Sequence, residues 1–344
     1  MRRDRFEQVT ARYANLRIAV VGDYCLDRYL EIDPARSEIS IETNLPVHNV
    51  VRVRSQPGGA GTILNNLCAL GIGTVHVLGF CGDDGEGYEL TRALKAKPGA
   101  HLEGFIQTTE RRTFTYCKPL LMHPGVPPEE LSRLDSKNWS PTPESVSGAI
   151  AKHLESLVHN LDAIILLDQV DIPDTGVVTS KLLETVEQIA RTNPNLLILA
   201  DSRRGLRDFP RVTFKMNRVE FCRLAGLSEA TDAAGLLPEI SAWARSQKQR
   251  LFVSLAEEGI LGVSASGAIA QRPSLPLRGP IDIVGAGDSV TANLTASMAS
   301  GAELAEAIEL ANAAASLVIH QVGTTGEASI AQIRELLDSQ NLWS

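Results

Sequence analysis

The chain is 344 residues long, 44% hydrophobic, and carries a formal net charge of -8. That length and apolar content support one large α/β domain or two smaller ones, and the acidic balance argues against general affinity for nucleic acid or anionic membrane. Five cysteines are scattered without a C-x-x-C pair and no apolar run approaches a membrane span, so a reduced, cytoplasmic protein is expected, with neither membrane nor nucleic acid as partner.

The Arg-rich opening, Met1 to Glu7, lacks the apolar core of a secretion signal and reads as an ordinary surface helix. The run from Arg17 to Gly22 follows as a buried strand ending in Gly22-Asp23, with Asp27 four residues on. Aspartates beyond a strand tip suit the paired hydroxyls of a sugar, although turn chemistry uses the same residues. From Asp27 to Gln56 the pattern is strands (Tyr29 to Ile32, Pro46 to Val53) without an intervening helix, and Arg112 to Lys118 adds another. These segments predict a small β-sheet projecting from the main body as a lid or subunit interface. Pro57-Gly58-Gly59-Ala60-Gly61 then opens a helix over 61–70 that carries Asn65 and Asn66, and the diglycine would let a ligand lie against bare backbone.

Further along, Thr74 to Phe80, Asp162 to Leu167 and Asn195 to Ala200 read as strands, the last two continuously apolar, as central parallel strands are. Helices are predicted over 85–96, 144–158, 175–192 and 233–247. Such alternation predicts a doubly wound sheet with its sites at the strand C-terminal ends. Asp201-Ser202-Arg203-Arg204 and Arg133-Leu134-Asp135 offer guanidinium groups for a phosphate, or plain surface charge. Asn217 and Glu220 follow an apparent strand over 211–215. Three apart, they share a helix face and could approach a Mg²⁺–nucleotide through water, or simply cap the first turn. The seven histidines show no metal spacing, and no Gly-Lys pair, G-x-S-x-G elbow or G-x-G-x-x-G fingerprint occurs.

The most informative segment is Asp282 to Asp288, in which Gly285-Ala286-Gly287 turns into the helical pattern after Ser289. A helix start of this kind points several unpaired N–H groups at one spot that prefers an anion. Asp288 makes sense there as a base facing a second substrate. A cradle plus a base is the minimal apparatus for moving a phosphoryl group onto a hydroxyl, though an Asp capping a helix after a Gly turn is also common.

Taken in order, Gly22-Asp23, Gly58-Gly59, Asn217-x-x-Glu220 and Asp282-x-x-Gly285-Ala286-Gly287-Asp288 resemble the ribokinase-like (PfkB-type) carbohydrate kinases over almost the whole chain. The resemblance implies a single kinase domain over residues 1–344, a three-layer α/β/α sandwich with a mainly parallel central sheet and β-lid segments at about 27–56 and 110–120. It implies a transfer from ATP to a sugar hydroxyl, with Asp288 as base and the amides of Gly285, Ala286 and Gly287 as anion hole. On the sugar side stand Asp23, Asp27, Gly58, Gly59, Asn66 and Arg133. Asn217, Glu220, Ser254, Gly259, Asn312 and Gly323 fall to the nucleotide, with Glu220 reaching Mg²⁺ through water. Asp282 marks a monovalent-cation site, K⁺ for example, built from backbone carbonyls. A homodimer through the lid is the family expectation.

Within the family the chain is most similar to the kinases of D-glycero-D-manno-heptose 7-phosphate, through Gly22 to Tyr29, Ile39-Ser40-x-Glu42, Pro46-Val47, Pro57 to Ala60 and Arg133-Leu134-Asp135. It departs from them at Glu38, Thr62, Asp201-Ser202-Arg203-Arg204, Ala256 and Ile283. The base and anion hole are intact while several changes cluster on the sugar side. The acceptor therefore stays open between a sugar phosphate and a free hexose, pentose or nucleoside, and a kinase scaffold retained as a binding regulator is the other alternative. If the acceptor carries a phosphate, Arg36, Lys118, Arg133, Arg203 and Arg204 are its candidate partners. No nucleotidyltransferase step is expected on this chain.

Overall fold

The computed structural model describes residues 1–343. Its centre is a nine-stranded sheet in the order Ile269–Arg272, Ile260–Val263, Leu251–Ser254, Thr213–Asn217, Leu197–Ser202, Ala163–Asp168, Arg17–Gly22, Thr74–Gly82 and Ala100–Thr108. The last seven run parallel, and the first two add an antiparallel edge. The apolar runs explain the layering. In Arg17–Gly22, Ile18 and Val20 pack on one face and Ala19 and Val21 on the other, all fully buried. A strand covered on both sides has no polar face to show. Helices Ala60–Ala69, Ala286–Ala299, Leu304–Val318 and Ile330–Ser339 cover one side, and Glu144–Leu157, Ser180–Thr192, Arg218–Ala225 and Ala233–Gln247 the other. The result is a three-layer α/β/α sandwich.

A second sheet stands off this body. It contains Leu134–Ser136, Phe114–Leu121, Tyr24–Ile32 and Val50–Gly59, with Glu129–Glu130 paired to Phe114–Leu121. Tyr24–Ile32 leaves the central sheet directly after Gly22 and pairs parallel with Phe114–Leu121 and antiparallel with Val50–Gly59. Asp27 therefore lies inside a strand and not beyond a strand tip.

Several elements differ from the sequence expectation. The helix placed over 175–192 starts at Ser180, capped by Thr179, because the amide of Val177 is held by the Asp23 carboxylate. The opening helix, Arg3–Thr10, is no mere surface helix: Phe6 and Val9 are fully buried, and Phe6 meets Trp343 edge-on. Ala100–Thr108 is an edge strand whose mixed composition hid it, and the short antiparallel strands after Leu251 carry too few residues to give a period. Among the described residues no helix is long and apolar enough to cross a membrane.

Candidate active site

The cleft lies where the C-terminal ends of the central strands meet the lid sheet, as expected of an open α/β sheet. Asp23 follows the strand Arg17–Gly22 and is 2% exposed. One of its oxygens accepts from the amide of Gln169 and the other from that of Val177, both at 2.7 Å. Burial and the neighbouring Asp168 carboxylate raise its pKa. Asp23 is thus chiefly a clamp that joins two strand ends, although it also lines a crevice with Tyr116, Lys137 and Asp171.

Asp27 is different. Its carboxylate makes no hydrogen bond among the described residues and packs against Gly58, where a β-carbon would stand 2.5 Å from Oδ2. Only glycine leaves room for the carboxylate. Burial raises the Asp27 pKa, while Lys118 and Arg133 lower it. Gly59, at φ 56, leaves no room for a β-carbon, which would stand 2.5 Å from the carbonyl oxygen of Asp23. Arg133 lies 4.9 Å over the Tyr116 ring and pairs with Asp135 at 3.1 Å. Asn66 does not join them. Fully buried, it donates to the carbonyls of Thr62 and Gly326 and braces the helix against that loop.

On the opposite wall, helix Ala286–Ala299 begins after Gly285, whose φ of 83 is left-handed. A β-carbon there would lie 2.2 Å from the Thr325 carbonyl, so glycine is required. Of the helix's first amides, that of Ala286 donates to the Ile283 carbonyl at 3.2 Å, while those of Gly285 and Gly287 have no protein partner among the described residues. Asp288, in that first turn, has its carboxyl pushed up to about 7, by burial first and then by Asp201, with Lys215 opposing. Burial first, and then the charges of Asp27, Asp288 and Asp23, drive the pKa of the Cys25 thiol well up; its sulfur and the Asp27 carboxylate both lie within 3 Å of where a Gly58 β-carbon would be.

Lys215 was missed by sequence reasoning. It projects beneath the helix start, its ammonium 3.1 Å from where a Gly287 β-carbon would be. It is buried and bonds Asp201 at 2.7 Å, and Asp201 also accepts from Thr291 at 3.0 Å. Burial works to lower the Lys215 pKa, but Asp201, Asp288 and Glu220 outweigh it and the pKa is raised. The available signal was a lysine alternating with Phe214 and Met216 in a strand buried on both faces.

Asn217 and Glu220 form a reciprocal capping box: Asn217 Oδ1 accepts from the Glu220 amide at 2.9 Å and Glu220 Oε2 from the Asn217 amide at 2.7 Å. Burial and Asp201 raise the Glu220 pKa, and its second oxygen has no protein partner among the described residues. Asp282 accepts from the amides of Val284 and Gly323, so its carboxylate ties two loops together. Asn312 donates to the carbonyls of Arg272 and Pro273 and lines a cavity of about 220 Å³ with Leu275 and Ala313. Gly259, at φ 84, would drive a β-carbon to 2.0 Å from the Arg272 carbonyl, and Ser254 reaches the Met216 carbonyl at 3.4 Å. Finally, Gln56, opposite Asp27 in the lid, bonds Thr324 at 3.0 Å and Thr325 at 3.3 Å.

This architecture is ribokinase-like. The chain aligns with ribokinase of Arabidopsis thaliana, solved with ribose and ATP, at a TM-score of 0.68 and 19% identity over 94% of this chain and 98% of that one. It aligns with phosphofructokinase-2 of Escherichia coli, solved with potassium, at 0.71 and 17% over 95% and 99%. Residues 149–331, more than half of the chain, match the pfkB family carbohydrate kinase model, and the chain belongs to that family. Among curated proteins it is 29% identical to bifunctional protein HldE of Syntrophotalea carbinolica, over 94% of this chain and 64% of that protein. It is equally similar to HldE of Rhodospirillum rubrum, over 92% and 61%. The chain thus spans under two thirds of the length of these relatives.

Proposed function

We propose that this carbohydrate kinase moves the γ-phosphoryl group of MgATP onto a hydroxyl of a phosphorylated sugar, with a heptose 7-phosphate the foremost candidate. The observation that carries the reading is the helix start at Gly285 to Gly287, with Asp288 in its first turn and the Lys215 ammonium under it, joined through Thr325 and Gln56 to the lid strand opposite Asp27. Asp288 takes the hydroxyl proton while the acceptor oxygen bonds to phosphorus and the bond to the ADP oxygen breaks. A base of pKa about 7 holds that proton well near neutrality. The free amides and the Lys215 ammonium would face the charge on the migrating group, and closure of the lid would exclude water and strengthen such donors.

Lys215 bonds Asp201 directly and also feels the charges of Asp288 and Glu220, a surplus of negative charge that suits Mg²⁺. Among the described residues no three acidic, His or Cys side chains are close enough to cage a metal ion. Mg²⁺ would therefore be held chiefly by the nucleotide phosphates with Glu220 through water, where it would neutralise phosphate charge. K⁺ near Asp282 would rest on backbone carbonyls, since that carboxylate is engaged. Adenine fits beside Asn312, Gly259 and Gly323.

The preference for a phosphorylated acceptor rests on the lid. Strand register puts Arg54, Tyr29 and Lys118 in one row, next to the row of Gln56, Asp27 and Tyr116. Lys118 lies 5.0 Å over the Tyr29 ring and has no carboxylate within salt-bridge distance among the described residues. Of the other candidates, Arg36 pairs with Asp33, Arg203 with Asp171 and Arg204 with buried Asp168. Lys118, assisted by Arg133, is the cation free to meet a phosphate. The outer side of the lid exposes Val51, Val53 and Leu134, and Ile39, Ile41 and Leu45 of the neighbouring hairpin are exposed too, which supports a homodimer. A cytoplasmic setting fits the substrates. The reading is tested by ADP release from MgATP with matched sugars bearing or lacking a distal phosphate. Turnover only with unphosphorylated acceptors would replace the acceptor assignment, and no turnover with any would end it.

A further inference from the structure

At the far end of the sheet from the cleft lies a cavity of about 460 Å³, opening between the N-terminal ends of Leu197–Ser202, Thr213–Asn217 and Leu251–Ser254. Its size is that of a small-molecule site. Arg211, Lys248 and Arg250 line it, and no carboxylate does. None of the three makes a side-chain hydrogen bond or ion pair among the described residues. Arg250 is partly buried, and burial alone depresses its pKa, with no acidic neighbour contributing. Arg211 and Lys248 are exposed and Arg250 is half-buried, so in a chain with a net charge of -8 the three form a local patch of positive charge with no carboxylate among its lining.

Helix ends do not account for it. Ser180–Thr192, Ala233–Gln247 and Ala286–Ala299 finish near the cavity, which Ala190, Lys248 and Met298 line. Each carbonyl end supplies about half a negative charge, so the three oppose roughly one and a half of the three positive charges. A net positive field remains. Lys248 also holds a left-handed backbone, φ 52, which an L-residue adopts at a cost. Thr213 and Asn195 add a hydroxyl and an amide without side-chain partners among the described residues.

We infer that this cavity binds a diphosphate group, free or carried by a nucleotide, at a second site distinct from the catalytic cleft. Three elements join the two ends of the molecule. Leu197–Ser202 starts at the cavity and ends by Asp201, Thr213–Asn217 carries Lys215, and helix Ala286–Ala299 runs from the anion cradle to Met298.

Pyrophosphate is the first probe, titrated calorimetrically into the full chain while a non-hydrolysable ATP analogue fills the cleft. Hydrogen exchange is followed in the segments 193–198 and 211–213. One equivalent should bind and protect both segments. Affinity should fall about tenfold or more in Arg250→Met, which keeps the aliphatic stem, and in Lys248→Asn, which tolerates the left-handed backbone. A parallel titration with ADP separates the sources: equal affinity identifies the diphosphate alone, and tighter binding a nucleotide. Absence of a second binding event in the wild type, or undiminished affinity in both variants with their melting temperatures retained, overturns the site.

Discussion

Gly287 and Lys215 approach so closely that a β-carbon on the glycine would stand 3.1 Å from the lysine ammonium. A buried cation is thereby fixed under the helix turn that would receive the phosphoryl group. Lys215→Met should lower kcat by about 10² or more, with a small effect on the sugar KM. It should also destabilise the fold by about 3–5 kcal/mol, because Asp201 is left buried without its partner. The double variant Lys215→Met/Asp201→Asn should recover much of that stability and none of the turnover. Recovery of both would reduce Lys215 to a structural ion pair.

Asp288→Asn should cost at least roughly 10² in turnover while nucleotide affinity survives. Steady-state kinetics beside nucleotide titration check this, and wild-type-like turnover would remove Asp288 as the base.

The raised pKa of Asp288 has two pH consequences with opposite readouts. The base must be ionised, so kcat/KM should drop about tenfold per unit below pH 7 and level off above it. Stability moves the other way. An unfolded aspartate ionises near 4, so between about 4 and 7 the folded state binds the extra proton and stability from this group falls as pH rises. Asp288→Asn lacks that loss, and its Tm advantage over wild type should grow from pH 4 to 7 and then stay constant. A flat Tm difference would contradict the raised pKa of this carboxyl.

The two sugar-side aspartates should separate. Asp27→Asn should raise the sugar KM about tenfold and spare ATP affinity, since its oxygens have no protein partners among the described residues. Asp23→Ala strands the amides of Gln169 and Val177 and should cost about 1–3 kcal/mol for each. Denaturant melts and kinetics on both variants distinguish these outcomes.

Gly285→Ala should be more damaging than its size suggests. The left-handed φ and the 2.2 Å approach to the Thr325 carbonyl force the turn to open, which should destabilise by about 1–3 kcal/mol and weaken ATP binding together.

The central strands were legible because burial on both faces leaves continuous apolar runs, as in Ala163–Asp168. The Gly285 turn was legible because its geometry permits one residue type. What escaped was relational. Nothing local to Thr213–Asn217 says that Lys215 ends under a helix some seventy residues later, and nothing around Asn66 says that a polar side chain turns inward to brace Gly326. Edge strands such as Ala100–Thr108, half covered and of mixed composition, lack the period that marks central ones.

Gln56 joins the strand backing Asp27 to Thr324 and Thr325, next to the Gly285 turn. If the lid holds the acceptor and the Gly285 turn the nucleotide, as proposed, this clasp is the contact through which occupancy of one would be felt at the other. Linkage would make any such exchange mutual, each substrate changing its companion's hold by the same factor. With a coupling of positive sign, an enzyme wired in this way would grip its phosphoryl donor most firmly when there is something to phosphorylate.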